Sequence, residues 1–286
     1  MNLETWLQSW LDLRKPRLKP RTIESYAALI RHHIAPALGA CEVAALDPLE
    51  ISASLAQISA SGRSRTAEAC FVLLRSALAD LEPNPMRRVF RPAHVQQSPL
   101  AWDDTCITAY MAALVNHPRR LPLTLCITLG LRRGEVCGLR WEDIDFHAGV
   151  IHITNQRYRL DSGQIVDASP KSRASVRSIP IPGPLLPLLK AHRQLAGYLC
   201  PITPSSLDAT HRRLVKRLGL PYTTLHGLRH TMATSCIRHG GEMRALQLLL
   251  GHASYATTAN RYTHPDVKML QTALDKAVQP CYTVIQ

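Results

Sequence analysis

The sequence predicts a mainly α-helical protein of two domains, the second of which also carries a small antiparallel β-sheet. Apolar residues recur at helical spacing through residues 1–83, whereas three later segments are rich in β-branched residues. Residues 84–100 contain three prolines and three arginines with little periodicity, which is typical of a linker. We therefore expect a helical domain over residues 1–83 and an α+β domain over residues 101–286.

Four helices are predicted in the N-terminal domain. Trp6, Trp10 and Leu13 recur at helical spacing, and Pro16 interrupts this pattern before a second helix that starts near Thr22. The third and fourth helices fit residues 55–58 and 67–81. Together they predict a small all-α bundle.

The C-terminal domain mixes helices with strands. Helical patterns are expected near residues 104–115, 121–129, 134–139, 184–197, 205–218, 225–238, 242–250, 255–261 and 265–278. Residues 149–154, 163–169 and 176–181 have the β-branched character of strands, and we expect them to form one three-stranded sheet. The last six residues, CYTVIQ, are expected to form a short strand-like tail.

The charge of the chain favours a polyanionic partner. With 34 basic and 21 acidic residues the net charge is +13 and the pI is near 9.7. Nucleic acid is the commonest partner for such an excess, although a basic surface also keeps a protein in solution. We predict nucleic-acid contacts for Arg14, Lys15, Arg17, Lys19, Arg21, Arg63, Arg65, Arg87, Arg88, Arg91, Arg173 and Arg177.

Several protein classes are disfavoured by what the sequence lacks. The eight cysteines are scattered without a CxxC pair, so neither a disulfide framework nor a metal site is expected. No apolar run is long enough to span a membrane, and the start of the chain lacks a signal-peptide layout, so we expect a soluble protein that remains where it is made. A GxxxxGK[ST] phosphate loop is absent, and no cofactor is expected.

Two motifs supply a candidate arginine and a candidate lysine. In GLRRGE, Gly130 interrupts a helical pattern and places Arg132 at the following turn, where Glu135 is close enough to hold the guanidinium. In PKSRASVRSIP, strand signals flank a turn that starts with Lys171, so this amine would project from a hairpin tip. Each motif also has a simpler interpretation, as a surface ion pair and as a solvated lysine.

Histidines and a tyrosine follow in two later motifs. HGLRH places His226 and Arg229 on one face of a helix. His226 and His230 have zinc-binding spacing, but no glutamate follows His226 and no third ligand is nearby, so no metal is expected. An apolar helix then ends at Gly251, which is expected to form a left-handed cap directly before His252. Tyr262 lies among polar neighbours, which is unusual for a core tyrosine.

These motifs resemble a known family. The strings GLRRGE, PKSRASVRSIP, HGLRH, LLGHAS and NRYTH, in this order, are similar to the catalytic domain of the tyrosine recombinases, or phage integrases. The strings KPRTIESY and HHIAPALG resemble the family's N-terminal core-binding domain, a SAM-like helical bundle. The likeness covers nearly the whole chain, and a separate arm-type DNA-binding domain is not visible in it.

The resemblance implies a role for each candidate residue. Arg132 and Arg229 would bind the scissile phosphate, with Glu135 supporting Arg132. A phosphodiester under attack gathers negative charge on its non-bridging oxygens, and two fixed guanidiniums can bind these oxygens. Tyr262 would be the nucleophile that forms a 3′-phosphotyrosine, and Lys171 would donate a proton to the leaving 5′ hydroxyl. His226 and His252 would be two further site residues. Covalent capture conserves the phosphodiester energy, so neither ATP nor metal is implied.

One spacing departs from the family pattern. His252 and Tyr262 are ten residues apart, one more than the commonest family spacing. Tyr255 lies too close to His252 to compete as nucleophile, and Tyr282 lies far outside the NRYTH motif. We therefore expect Tyr262 to be the nucleophile.

The resemblance also implies partners and a setting. We expect double-stranded recombination sites as substrate, a homo-tetramer on DNA formed through the C-terminal segment, accessory DNA-bending proteins, and a cytoplasmic, nucleoid-associated protein of a prokaryote or phage. The last helix carries an apolar stripe of Val267, Leu270, Leu274 and Val278, and whether it packs on its own domain or on a neighbouring protomer is left open. The alternatives to recombination are a topoisomerase-like relaxing activity and a non-catalytic architectural protein.

Overall fold

The computed structural model of the chain describes residues 1–93, 100–169, 175–251 and 267–282. The chain divides into two compact units, residues 1–97 and residues 98–286. Each unit has its own apolar core. The mainly helical fold with a small antiparallel β component is as the sequence predicts. The proposed 1–83 and 101–286 boundaries stay a prediction.

The first unit is entirely helical over its described residues apart from short turns and one isolated bridge. Its helices are α1 (Leu3–Arg14), α2 (Pro20–Leu29), α3 (Ala35–Leu38), α4 (Pro48–Ala60) and α5 (Ser64–Ala77), with a π-helical turn at Ile30–Ile34. The predicted helix at 55–58 is the end of the longer α4, which begins earlier because Asp47 caps it, accepting a hydrogen bond from the Leu49 amide at 2.9 Å.

Helix α1 packs on the core chiefly with three of its leucines, and not with the face of Trp6, Trp10 and Leu13 from which the helix was predicted. Leu3, Leu7 and Leu11 are completely buried, whereas Leu13 is exposed. Trp6 lies at the edge of this core, and its indole nitrogen donates to the Ala77 carbonyl oxygen at 3.0 Å. The leucine stripe therefore holds α1 on the bundle, because apolar burial is the main favourable contribution to folding.

The second unit contains eight described helices. They are α6 (Asp104–Leu114), α7 (Arg120–Thr128), α8 (Arg133–Gly138), α9 (Leu185–Ala191), α10 (Pro204–Arg217), α11 (Leu225–Arg238), α12 (Met243–Leu250) and α13 (Val267–Tyr282). The expected helix at 184–197 ends early, at Ala191, because the chain then turns at Gly197 (φ +97°) to pair beside Leu139. The expected helix at 255–261 lies outside the described residues.

The strands form two sheets instead of the predicted one. They are β1 (Ile144–Asp145), β2 (Val150–Ile153), β3 (Gln156–Arg159), β4 (Ile165–Ala168) and β5 (Arg177–Pro180). One antiparallel sheet has the order β1-β2-β5, and β3 pairs with β4 in the other. The sequence prediction missed β3 because its residues, QRYR, are not β-branched.

The C-terminal helix α13 packs on its own unit. Leu270, Leu274 and Val278 are buried against it, and Ser235 and Cys236 of α11 donate to carbonyl oxygens of α13. The helix runs to Tyr282, so the start of the predicted strand-like tail is helical instead, and residues 283–286 lie outside the described residues. Among the described helices, none combines the length and the apolarity that a membrane crossing requires.

Candidate active site

Arg132 and Glu135 form an ion pair at the start of α8. The carboxylate accepts from the Arg132 backbone amide at 3.0 Å and from its Nη1 at 2.7 Å. Glu135 is only 2% exposed, whereas 35% of the Arg132 side chain is exposed. Gly130 places Arg132 at the start of α8, because its φ of +60° turns the chain after α7. The guanidinium of Arg132 is thus anchored from behind and open in front.

A second arginine shares the same carboxylate. Arg177 donates from Nη1 and Nη2 to the two oxygens of Glu135, at 3.1 and 3.0 Å. Its Nε donates to the Leu249 carbonyl oxygen at 2.6 Å, and its Nη1 also donates to the Ser175 carbonyl oxygen at 3.1 Å. The Arg177 side chain is only 6% exposed. The guanidinium is thus bound inside the protein, which argues against the predicted contact of Arg177 with DNA.

The charge state of Glu135 follows from these contacts. Burial raises the pKa of Glu135, but the hydrogen bonds and positive charge of Arg177 and then of Arg132 outweigh it, so the pKa of this carboxyl lies below its usual value. Glu135 is consequently ionised at neutral pH. One negative charge then faces two guanidiniums, which leaves a net positive charge at this part of the site.

Arg229 comes to the same place from α11. Its Nη1 donates to the Gly130 carbonyl oxygen at 2.9 Å, and its Nη2 donates to that of Leu250. The residue is almost completely buried. Burial, followed by the positive charge of Arg132, lowers the pKa of Arg229 to about 9, so the guanidinium keeps its charge at neutral pH. These contacts bring Arg229 together with Arg132 and Glu135.

His226 lies in the first turn of α11 and is exposed. The Thr224 hydroxyl begins this helix by accepting from the Gly227 amide at 3.0 Å. His226 and Arg132 line one open cavity of about 430 Å³. Arg133 lines it as well, paired with Asp208 of α10. The structure therefore brings Arg132, Glu135, Arg229 and His226 to one region.

The other predicted site residues lie outside the described residues. They are Lys171, Arg173, His252 and Tyr262. Their flanking elements are described: α12 ends in Gly251, whose φ of +63° is the left-handed cap that the sequence predicts directly before His252. Tyr282, considered as a competing nucleophile, is the last residue of α13.

The strands on either side of Lys171 differ from the predicted hairpin. Lys171 falls in the connection from β4 to β5, and these strands pair with β3 and β2 instead of with each other. The second sheet lies close against α8 because Gly134 and Gly138 have no side chain. A Cβ on Gly134 would lie 2.9 Å from Arg157 O, and one on Gly138 would lie 2.8 Å from Gln156 Cα of β3.

A cluster around Tyr198 holds β3 and β4, and the sequence did not reveal it. The guanidinium carbons of Arg157 and Arg140 lie 3.9 and 4.6 Å from the centre of the Tyr198 ring. The Tyr198 hydroxyl donates to Asp167, and Arg157 Nε lies 3.3 Å from the same carboxylate. Asp167 lies four residues before Lys171, so this cluster fixes the strand that leads to the lysine.

Several basic residues predicted to contact DNA have acidic partners. Ion pairs link Lys15 with Asp12, Arg21 with Glu24, Arg87 with Glu82, and Arg91 with Glu68. Arg14 lies over the Trp10 ring at 4.6 Å. Such exposed pairs contribute little stability and open readily, so they do not exclude contact with phosphates.

The described residues contain no group of three or more histidine, cysteine or acidic side chains that could hold a metal ion. Their six fully buried cysteines are also free thiols. At the candidate site the described residues place the guanidiniums of Arg132 and Arg177 on the Glu135 carboxylate, with the buried guanidinium of Arg229 and the exposed imidazole of His226 nearby.

Two family models match the chain. The phage integrase family matches residues 105–269, and the phage integrase N-terminal SAM-like domain matches residues 2–55. The first match alone covers more than half of the chain and contains all the candidate site residues, from Arg132 to Tyr262.

Curated relatives agree with this match. A tyrosine recombinase XerC-like protein of Caldanaerobacter subterraneus subsp. tengcongensis is 30% identical over an alignment of 210 positions that covers 61% of this chain and 52% of that protein. The chain thus spans about half the length of this relative. The tyrosine recombinase XerC of Xylella fastidiosa is 26% identical over 287 residues, covering 91% of each chain.

A solved structure shares the fold. The integrase of the Tn1549 transposon, in complex with transposon right end DNA, superposes with a TM-score of 0.74. The match is 22% identical and covers 96% of this chain and 99% of that one. At this identity the likeness shows the fold, which includes both the N-terminal helical unit and the α+β unit.

Proposed function

The chain belongs to the phage integrase family of tyrosine recombinases, which are DNA strand-transferring enzymes, and on this premise we propose how its residues perform the reaction. We propose that it cleaves and rejoins double-stranded DNA at specific sites through a 3′-phosphotyrosine on Tyr262, without metal or ATP. The observation that supports this mechanism most is the meeting of Arg132 and Arg229, which lie in separate helical segments and share the turn at Gly130.

The two arginines would bind the scissile phosphate. As the phosphorus is attacked, negative charge gathers on its non-bridging oxygens, and fixed guanidiniums stabilise that charge more than they stabilise the ground state. Arg132 is supported from behind by Glu135 and exposed in front, which suits a phosphate contact. Arg229 would bind the same phosphate with the edge of its buried guanidinium, which keeps its charge at neutral pH.

Tyr262 would be the nucleophile. Its phenolic oxygen forms a bond to phosphorus while the bond from phosphorus to the 5′ oxygen breaks, which leaves a 3′-phosphotyrosine and a 5′ hydroxyl. A phenol with a pKa near 10 must lose its proton for this step, and His226, His252 or a water would accept it. Lys171 would donate the proton that the leaving 5′ oxygen requires. A 5′ hydroxyl from another strand then reverses the step and completes strand transfer.

The family and the bacterial relatives support a further proposal about partners and setting. We propose that the protein works as a homo-tetramer on two DNA sites, in the cytoplasm on nucleoid or mobile-element DNA, with accessory DNA-bending proteins. The described part of the C-terminal segment, α13, packs on its own unit. The relatives are named recombinases and integrases, so the topoisomerase-like and architectural alternatives are not favoured.

A covalent-adduct assay tests the mechanism. The Tyr262→Phe variant is first used to select a binding site from a randomised duplex pool, and that site is then prepared as a nicked duplex. We expect the unaltered protein to leave an adduct that survives a denaturing gel, and Tyr262→Phe to leave none while binding the duplex with unchanged Kd.

Tyr255→Phe is the matched control, and we expect it to form the adduct. An adduct that persists in Tyr262→Phe would move the nucleophile elsewhere. A protein that binds but never forms an adduct would support the architectural alternative, and relaxation of a two-site plasmid without exchange would support the topoisomerase-like one.

A further inference from the structure

Arg177 links three parts of the catalytic unit through one buried guanidinium. It lies on β5 and donates four hydrogen bonds, two to Glu135 at the start of α8, one to Leu249 at the end of α12, and one to Ser175 beside it. A guanidinium bound in this way is closed to a DNA phosphate. Its effect on the reaction must therefore pass through the groups that it holds.

The geometry at Glu135 fixes the carboxylate completely. Oε1 accepts from Nη1 of Arg132 at 2.7 Å and from Nη1 of Arg177 at 3.1 Å. Oε2 accepts from the Arg132 amide and from Nη2 of Arg177, both at 3.0 Å. Each oxygen thus has one partner from each arginine. The two parallel bonds from Arg177 set the plane of the carboxylate, and that plane sets the direction in which Arg132 points.

Arg177 also changes what Glu135 does to the charge of Arg132. A buried carboxylate paired with Arg132 alone would neutralise it and compete with the phosphate for its N–H groups. With Arg177 present, the single negative charge of Glu135 is shared between two guanidiniums, and the hydrogen bonds and positive charge of Arg177 are the largest of the effects that hold the carboxylate ionised. Arg132, Glu135 and Arg177 together keep one net positive charge for the phosphate.

The contact of Arg177 with Leu249 connects the Arg132–Glu135–Arg177 cluster to the segment that contains the nucleophile. The Leu249 carbonyl oxygen accepts from Nε of Arg177, and the next one, of Leu250, accepts from Arg229. These are the last two carbonyls of α12, and the last carbonyls of a helix take their partners from outside the helical hydrogen-bond pattern. Gly251 and His252 follow, so two buried arginines hold the point from which the His252–Tyr262 segment departs.

We propose that Arg177 is a positioning residue for strand cleavage. It orients Glu135 so that Arg132 meets the scissile phosphate with its charge available, and it holds the end of α12 ahead of His252. This inference rests on the proposed function, since it assumes that Arg132 binds the phosphate that Tyr262 attacks.

The test compares single-turnover cleavage of the selected nicked duplex by Arg177→Met and by the unaltered protein. At saturating DNA we expect Arg177→Met to lower the rate constant of adduct formation by about 10- to 100-fold. The Kd for the duplex, measured on the Tyr262→Phe background, should change by less than about twofold. Arg177→Lys should recover part of the rate only, because lysine keeps the charge but cannot donate two parallel bonds.

A double-variant cycle shows whether the effect passes through Glu135. If it does, Arg177→Met added to Glu135→Gln slows cleavage little beyond Glu135→Gln alone. The double variant also removes both buried charges, so it provides a folded comparison if Arg177→Met itself proves unstable. Arg238→Met is the matched control, because Arg238 pairs with Asp104 at 3.0 Å on the exposed side of the same unit. We expect it to cleave at the unaltered rate.

Three outcomes overturn the inference. In the first, Arg177→Met cleaves at the unaltered rate constant, and in the second, the rate reductions of Arg177→Met and Glu135→Gln multiply in full in the double variant. In the third outcome, Arg177→Met lowers only the amount of active protein and leaves its rate constant unchanged. Failure of the proposed function looks different, because the unaltered protein would then form no adduct at all.

Discussion

Arg229 donates a hydrogen bond of 2.9 Å to the carbonyl oxygen of Gly130, which lies ninety-nine residues earlier in the chain. Gly130 adopts a φ of +60°, and a Cβ built on it would lie 2.9 Å from Cδ2 of Leu250. The same glycine therefore turns the chain toward Arg132, accepts from Arg229 and leaves room for the end of α12. Three parts of the candidate active site meet at a residue without a side chain.

The first prediction concerns substitution of this glycine. Gly130→Ala should lower the free energy of unfolding by about 2–4 kcal/mol, because alanine is strained at positive φ and its methyl group would displace Leu250. It should also slow adduct formation, because the carbonyl that holds Arg229 would shift. Urea denaturation and the nicked-duplex assay measure the two effects.

Gly149→Ala is the control for backbone strain. Gly149 has a similar φ of +67°, and no atom lies within 4 Å of the place that a Cβ would occupy there. We expect this substitution to cost about 1–2 kcal/mol and to leave the cleavage rate unchanged. Equal losses of stability in the two variants would contradict the packing argument at Gly130.

The second prediction concerns a buried histidine beneath the cavity. Tyr110 OH lies 2.9 Å from Nδ1 of His211, and the Thr223 carbonyl oxygen lies 3.0 Å from Nε2. A neutral imidazole satisfies both partners, by accepting from the hydroxyl and donating to the carbonyl. Burial lowers the pKa of His211, against smaller opposing effects from Thr223 and Asp208.

The sign of the resulting pH dependence follows from proton linkage. Below about pH 6.5 the unfolded chain takes up a proton that folded His211 resists, so the free energy of unfolding falls as the pH is lowered. Between pH 7 and pH 5.5 we expect this one group to contribute a loss of about 1 kcal/mol. His211→Gln should remove that part of the slope in urea denaturation, whereas the exposed control His147→Gln should keep it. Identical slopes in all three proteins would exclude His211 as the source.

The third prediction concerns DNA binding by the first unit. Arg63 and Arg65 are exposed, and within the described part of the chain neither forms an ion pair. If they contact phosphates, the double variant Arg63→Gln/Arg65→Gln should reduce the slope of log K against log salt concentration by about 1–2. Fluorescence anisotropy with a duplex at several salt concentrations measures this slope.

Arg238→Gln is the control for loss of positive charge, because it removes one cation, where the double variant removes two, and lies outside the predicted contacts. We expect its salt slope to equal that of the unaltered protein. A slope that is unchanged in the double variant would remove Arg63 and Arg65 from the predicted DNA surface.

Local features of the site could be predicted from the sequence. Glu135 follows Arg132 by three residues, and Gly251 follows the apolar pattern of α12, so both the ion pair and the left-handed cap arise within one helical turn. The helix Leu225–Arg238 has the predicted bounds for the same reason. In each case the partners are close in the chain, and the residue types alone favour the geometry.

Contacts between distant segments could not be predicted in this way. The sequence marked Arg177 as one cation among many, because nothing near it in the chain shows that Glu135 and Leu249 will surround it. The pairing of β5 with β2, and of β4 with the unrecognised β3, was missed for a related reason. Strand pairing depends on which edges meet, and residue type says little about that.

The sequence by itself determined the family, the order of the helices and the identity of the candidate residues, because these depend on residue types and short spacings. Only the tertiary structure decided that the Arg177 guanidinium is buried against Glu135, that α13 packs on its own unit, and that Arg229 is held at the turn before Arg132. Those outcomes depend on burial and hydrogen bonding between segments far apart in the chain, and such contacts exist only once the core has formed.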